Sequence, residues 1–578
     1  MRPALFTQYL SLAFLQLTPS TSASQTPLTT TTKPPPIVNI RNGTLAGKHS
    51  PFYSQDFFLG IPFAAPPTSN LRLRRPVPAS PWPNFTRLAD SYGPYCMGNA
   101  LRVPGIYQPD TAPMSEDCLH LNIVRPASPP PEPKLPVMVW IHGGGFQHGS
   151  AVDARYNGSF LVARSVAMGT PIIFVSVNYR LGLFGIMNAA GVEENLLLRD
   201  QRQALKWVQE NIAAFGGDPR RVTIAGESAG AASVGYHLMA RDEGLFGSAI
   251  AQSGGPFSTA PFLSEEEKRV QFESVLNVTG CAGVKEPLAC LRSVPAEVLN
   301  KASMAVPYSH TFALDGDLVT DTSYNLLRAG KFVKVPLLIG TNRNEATSVV
   351  QYAMPGPLNT HEDFAGIVAA SNSGKLPPEA MVERWSALYQ DEIDAPSAAG
   401  LGTVRPDPGP GPALGAEYGK TALFLGDGFF HAGRRLAARV WTESGVACYS
   451  YFFDVVTANV DKETLGATHF QEIPFVFGDK DGSGWEVDPF PKDVELRRQF
   501  QELAGVMSGM WISFVVSGSP NDHHQESVGN ITWPVYTRGK PENMVFSATD
   551  GLSLQPDTWR EEAIQMFFGL ADMNSRQP

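Results

Sequence analysis

Apolar and polar positions along this chain follow two periods that alternate through its middle. Residues 137–141 and 172–178 are continuous apolar or β-branched runs, the pattern of strands covered on both faces. Between residues 200 and 215, Leu205, Val208, Ile212 and Phe215 recur at steps of three and four, which predicts an amphipathic helix ended by Gly216 and Gly217. Residues 222–225 form another short buried run, and the small residues after Ser228 tolerate helix. Residues 248–252, 336–340 and the run ACYSYFFDV opened by Cys448 read as further strands. Nearer the C-terminus, Leu496, Phe500, Leu503, Met507, Met510, Trp511 and Phe514 keep helical spacing, so these methionines and aromatics are expected in the core and not on a cofactor face. Strands alternating with helices, with no internal repeat, predict an α/β fold: one large, mostly parallel central sheet with helices on both faces. Residues 396–416, centred on RPDPGPGP, predict a long surface loop. No true linker interrupts the pattern, so residues 37–572 are read as a single domain.

The pattern changes at the N-terminus. After Met1 and Arg2 comes an apolar run over residues 4–17, then the small residues Thr21, Ser22 and Ala23, which reads as a secretory signal peptide over residues 1–23. Residues 24–36 are rich in Thr and Pro and are expected to be a disordered lead-in. No segment has the uninterrupted apolar length of a transmembrane helix, so the expected destination is outside the cell. Composition changes this little: 578 residues with 43% apolar suffice for a large core. A formal net charge of −10 offers no electrostatic footprint for nucleic acid or anionic lipid. Secretion predicts disulfides, and the five cysteines fit two short loops, Cys96 with Cys118 and Cys281 with Cys290, leaving Cys448 as a buried thiol. Sequons at Asn42, Asn84, Asn157, Asn277 and Asn530 are expected glycosylation sites on the same route.

The chemistry centres on Gly226-Glu227-Ser228-Ala229-Gly230, placed where the strand of residues 222–225 becomes helix. A GxSxG motif needs that context: glycines allow a turn too tight for side chains, and the serine hydroxyl is pushed out at a helix N-terminus. There the N–H of Ala229 can face an oxygen that turns anionic when an acyl carbon is attacked. A plain glycine turn is the bland alternative, and the flanking strand and helix argue against it. Upstream, His142-Gly143-Gly144-Gly145-Phe146 follows the strand of residues 137–141, and only glycine lets backbone N–H groups approach a reacting oxygen so closely. A phosphate nest is the alternative, but no GKS or GKT follows. A serine needs a base. Among the downstream histidines His361, His431, His469, His523 and His524, His469 sits in a loop entering an apolar segment, THFQEIPFVFG, where a side chain can be presented. His431 lies in a helix-like stretch, read as packing or surface, and His523 and His524 lie in a polar loop. For the orienting acid, Glu345 in GTNRNEAT competes with Asp315 in LDGD, and spacing leaves that choice open.

The stretches FLGIPFAAPP, EDCLHLNI, PVMVWIHGGGF, VNYRLGLFG, the run from RDQRQALKW through GESAGAASV, GTNRNEAT, THFQEIPFVFG and SGSPN occur in that order between residues 37 and 521. Together they resemble the type-B carboxylesterase/lipase family, which also holds the cholinesterases and the fungal lid-bearing lipases. The resemblance implies an α/β-hydrolase fold, with the nucleophile at Ser228, the acid at Glu345 and the base at His469. It implies oxyanion donors on Gly144, Gly145 and Ala229 and the same two disulfides. No cofactor or metal is expected, and the expected partner is a small-molecule ester; oligomeric state stays open. The loop over residues 97–117 departs from the relatives. It is shorter than a lipase flap, carries Pro104, Pro109 and Pro113, has no amphipathic helical pattern, and lacks the tryptophan cholinesterases use to hold a quaternary ammonium. These departures favour a secreted carboxylesterase over a triacylglycerol lipase acting at lipid interfaces. A non-catalytic adhesion or binding protein that kept the fold is the third reading, disfavoured by the intact Ser228, Glu345 and His469.

Overall fold

The alternating pattern resolves into an eleven-stranded sheet in a computed structural model. The structure describes residues 34–576 apart from 101, 108–111, 188, 190, 260, 307–311, 354–355, 409–413 and 523–530. The leader and most of the lead-in, His523, His524 and Asn530 therefore lie outside the described residues. Residues Pro35–Pro578 make one compact unit.

In chain order the sheet strands are β1 (Lys48–Ser50), β2 (Gln55–Pro62), β3 (His120–Pro126), β4 (Leu135–Ile141), β5 (Ile173–Val177) and β6 (Gly217–Glu227). They continue with β7 (Ser248–Gln252), β8 (Leu337–Asn342), β9 (Cys448–Phe453), β10 (Glu542–Ser547) and β11 (Gly551–Pro556). Across the sheet they lie in the order β11-β10-β9-β8-β7-β6-β4-β5-β3-β2-β1. Every pair from β5 to β10 is parallel, while β3, β2 and β1 at one edge and β11 at the other pair antiparallel. The mostly parallel sheet expected from the apolar runs is what forms. Its side chains explain why: on β4, Val137, Val139 and Ile141 join one apolar cluster while Met138 and Trp140 join another on the opposite face. A strand buried on both faces cannot afford the polar alternation of a half-exposed one.

Four helices matter for the site: α1 (Leu196–Asn211), α2 (Ala229–Met239), α3 (Ala432–Glu443) and α4 (Val494–Ser517). The helix expected over residues 200–215 is α1 plus a 3-10 turn, closed by Gly216 in the left-handed region at φ 91°. Met507, Met510 and Trp511 of α4 are fully buried in the second cluster, as core residues should be. The loop of residues 396–416 is exposed over much of its described length, as expected for a surface loop, while Ala399, Leu401, Val404 and Leu414 anchor it in a third apolar cluster. Its proline-rich composition describes a backbone without regular hydrogen bonds, and the four apolar side chains within it pin that backbone to the core.

Both expected disulfides are present, Cys96–Cys118 and Cys281–Cys290, and Cys448 is a buried free thiol whose pKa is pushed up by desolvation, which keeps it protonated. Asn84 and Asn277 are exposed. Asn42 and Asn157 are half-buried and already used: the Asn42 amide donates to Ala79 O at 2.7 Å, and Asn157 Oδ1 accepts from Ser159 N as a helix cap. Among the described residues no helix is long and apolar enough to cross a membrane.

Candidate active site

Strand β6 ends at Glu227 and helix α2 begins at Ala229, so Ser228 alone makes the turn. Its backbone sits at φ 56°, ψ −123°, a region that L-residues avoid. The surroundings impose this conformation. The Ser228 N–H donates to Gln252 O at 2.9 Å and its C=O accepts from Ala232 N at 2.9 Å. A Cβ at Gly226 would lie 2.5 Å from Gly230 C and 2.8 Å from Ile141 O, and one at Gly230 would overlap Ile141 O. The two glycines of the motif are therefore required by close approach of strand, turn and helix to β4.

The glycine run after β4 packs beside the turn. A Cβ at Gly143 would come within 3.0 Å of Ser228 Cβ. Gly144, Gly145 and Phe146 all have positive φ, at 105°, 60° and 60°, which curls their amides inward. Among the described residues, the N–H groups of Gly144, Gly145 and Ala229 find no protein acceptor, so all three remain available to an external oxygen. The loop is braced from behind: His142 stacks on Tyr179 at 4.3 Å, and the Tyr179 hydroxyl donates to His142 O at 2.6 Å. Burial pushes the His142 imidazole down to about 4, so it is neutral here.

His469 and Glu345 come from two loops clipped together. Asn344 N donates to Ala467 O at 3.0 Å, Ala467 N returns a bond to Asn344 Oδ1, and Thr347 Oγ1 bonds Leu465 O and Thr468 Oγ1. This brings His469 Nδ1 to 2.7 Å from Glu345 Oε2, while the other Glu345 oxygen accepts from Asn342 N at 2.7 Å. Phe430, from the π-helical turn Asp427–His431, packs its ring 4.8 Å from the imidazole. Asp315, the competing acid, is elsewhere employed: it pairs with Arg199 at 2.7 Å and accepts from the N–H groups of residues 317–319. His431 is buried, with Nδ1 2.9 Å from Thr341 Oγ1, and His361 pairs with Glu383 outside this site.

Sequence reasoning missed the carboxyl cluster around the imidazole. His469 Nε2 faces Glu227 Oε1 at 3.2 Å, and among the described residues no hydrogen bond joins it to Ser228 Oγ. Behind lies Glu472, fully buried, accepting from Gln252 Nε2 at 3.1 Å and Asn342 Nδ2 at 2.8 Å. Burial, with other carboxylates nearby, raises Glu227 and Glu472 above the usual carboxylate range. For His469, burial pulls downward, but the Glu227 charge and the bond to Glu345 pull harder and raise it to about 9. Where Glu227 is ionised it holds the imidazolium from the Nε2 side, while the bond to Glu345 holds it at Nδ1. Raised in this way, Glu227 and Glu472 favour their protonated forms more than ordinary carboxyls do. Glu227 was visible inside the motif and Glu472 three residues after His469, but nothing in their spacing set them apart from structural acids.

With a strained serine, three free amides and a histidine–carboxylate pair, the site has the parts of an acyl-transfer centre. The sequence matches the Carboxylesterase family over residues 34–564. This chain belongs to that family. As a carboxylesterase it is a carboxylic ester hydrolase, and its large mixed sheet with flanking helices is an α/β-hydrolase fold. It is 31% identical to Lipase 2 of Geotrichum candidum, over 92% of this chain and 95% of that protein. It is 33% identical to acetylcholinesterase of Bungarus fasciatus, over 90% of this chain and 84% of that one. Among solved structures, Aspergillus niger EstA superposes with a TM-score of 0.78 at 26% identity, covering 94% of this carboxylesterase and 99% of EstA. None of these likenesses supports the non-catalytic reading.

Proposed function

We propose that this carboxylesterase cleaves its substrates through Ser228 as nucleophile, His469 as general base and Glu345 as the acid that orients it. The observation carrying the proposal is the 2.7 Å contact between His469 Nδ1 and Glu345, presented beside a serine held in a strained turn. That bond fixes a proton on Nδ1, so the neutral form of the imidazole carries its lone pair on Nε2. Nε2 must turn from Glu227 toward Ser228 Oγ, a small adjustment of the kind that substrate binding often completes. It then takes the hydroxyl proton as Oγ forms its bond to the ester carbon. The carbonyl oxygen becomes anionic and accepts from the N–H groups of Gly144, Gly145 and Ala229, where loss of one donor costs about 10²- to 10³-fold in turnover. As the tetrahedral intermediate collapses, the carbon–oxygen bond breaks and the alcohol departs with the proton from His469. Water, deprotonated by the same nitrogen, releases the acid from the acyl-enzyme and returns the proton to Ser228.

The substrates are esters that enter as single molecules. Supporting this, the 97–117 loop is tied down: Gln471 Nε2 donates to Gly105 O at 3.0 Å, and Arg155 Nη1 donates to Ile106 O at 2.6 Å. Its base is closed by the Cys96–Cys118 disulfide. A flap that must swing away at an oil surface is poorly served by such anchors. The lipase reading has behind it the likeness to Lipase 2 of Geotrichum candidum. The two disulfides and the exposed Asn84 and Asn277 support secretion and glycosylation.

The test is initial rate on p-nitrophenyl esters from acetate to palmitate, below and above the solubility of each. The esterase reading expects saturation below the solubility limit, best activity on short or middle chains, and no rise at the limit. A jump in rate when long-chain substrate forms a second phase supports the lipase reading instead.

A further inference from the structure

On the rim of the sheet opposite Ser228 lies an open cleft of about 490 Å³. It is bounded by the last turn of α2 and by residues 331–334, which lead into β8. The two sides are locked together, because Val333 N donates to Leu238 O at 2.7 Å and Phe332 stacks on Trp441 at 4.1 Å. The eleven-residue helix α2 separates this cleft from the nucleophile by about 16 Å at the rise of an α-helix. Met239, Ala240, Leu326, Phe332 and Val333 give it an apolar lining.

Its rim is positively charged. Arg241, Lys331 and Lys334 are exposed at the mouth, and among the described residues none of them has an ion pair. Of the two acids present, Asp317 already pairs with Arg199 at 2.8 Å and with Arg75 at 3.5 Å. Asp242 accepts from Gly244 N at 2.8 Å, within its own turn. An apolar floor beneath uncommitted cations fits a ligand that is apolar along its length and anionic at one end.

We propose that this cleft is a second ligand site, which takes the anion of an apolar carboxylic acid with its carboxylate at Arg241, Lys331 and Lys334 and its hydrocarbon tail on the Phe332 floor. Such an anion is what ester hydrolysis releases from a fatty acyl ester, so the site can hold the product class of the enzyme's own reaction. The site does not require the proposed catalytic roles of Ser228, Glu345 and His469.

Equilibrium dialysis of sodium decanoate against the full chain tests it, comparing wild type with the triple variant Arg241→Glu, Lys331→Glu, Lys334→Glu. The expected result is one equivalent more of decanoate bound by wild type. In the variant that site weakens at least about tenfold, the scale of losing one charge-assisted hydrogen bond, while kcat/KM on a short ester is unchanged. Thr320→Trp, which fills the mouth and leaves the charges intact, is expected to remove the same equivalent. Equal uptake by wild type and both variants overturns the proposal. So does displacement of decanoate by decanol as effectively as by octanoate, which would make the cleft indifferent to charge.

Discussion

At the scale of single residues, the site concentrates strain and charge on very few atoms. Ser228 stays in its unfavourable conformation because the backbone around it is fully committed, and its side chain is left free to react. Ser228→Ala should retain the fold and lower kcat/KM by several orders of magnitude, since what survives triad loss is binding and the oxyanion amides; steady-state kinetics beside thermal unfolding checks both halves. Glu227 gives a sharper prediction. The imidazole must be neutral to accept a proton, and a raised His469 therefore loses activity as pH falls sooner than an ordinary histidine would. Glu227→Gln removes a negative group 3.2 Å from Nε2, so the acidic limb of kcat/KM against pH should move to lower pH. A limb that stays in place, or moves up, contradicts the assignment of Glu227 as part of the charge balance. These residues were legible in the sequence to different degrees. Ser228 and the glycines carry a backbone requirement that a motif records directly. Glu345 and Asp315 did not, because each is simply an acid in a loop, and only the clip between the loops of residues 343–347 and 465–469 separates them.

Elements convert that local chemistry into a fixed geometry. β4 and β6 lie side by side in parallel register, with Gly226 opposite Ile141, which is why the oxyanion loop after one and the nucleophile turn after the other meet at the same sheet edge. Gly230→Ala forces its Cβ into Ile141 O and pushes α2 off β4. A displacement near 1 Å at the reacting atoms costs about 10²-fold in rate, so this variant should lose at least that much kcat/KM even where it still folds. The tied loop makes a second prediction. Gln471→Ala removes one anchor of the 97–117 loop, a loss of about 1 kcal/mol in the closed form, and should raise relative rates on bulky esters about fivefold at most. Unchanged chain-length selectivity argues that the loop does not gate access. The strand and helix runs were readable because a doubly covered sheet demands unbroken apolar segments. The 396–416 loop was readable as an irregular surface segment because proline and glycine report backbone shape, but its anchors Ala399, Leu401, Val404 and Leu414 were not, since nothing in their spacing marks them as buried.

Across the whole molecule, the far edge of the sheet is held by charge. Asp557, just beyond β11, is fully buried and bonded to Arg434 at 2.6 Å, Arg435 at 3.0 Å and the Tyr536 hydroxyl at 2.9 Å. Burial opposes its ionisation, but the two guanidinium groups of α3 overcome this and hold it well below the usual carboxylate range. A folded-state value below that of the unfolded chain gives stability that is complete above about pH 4 and is lost as pH falls through the folded value. Asp557→Asn leaves two buried cations short of a partner and should cost about 3–5 kcal/mol, read from denaturant unfolding at neutral pH. That loss should shrink in strong acid, where wild type forfeits the same charge. No spacing rule links Arg434 to a residue more than a hundred positions later, so this part of the fold was invisible in the sequence. The central claim, that Ser228 is activated by His469 and Glu345, is most directly tested by fluorophosphonate labelling followed by peptide mass spectrometry. The account predicts a single adduct on the peptide containing Ser228, absent in Ser228→Ala and formed far more slowly in His469→Ala. An adduct on another residue, or labelling of Ser228 at an undiminished rate without His469, would contradict it.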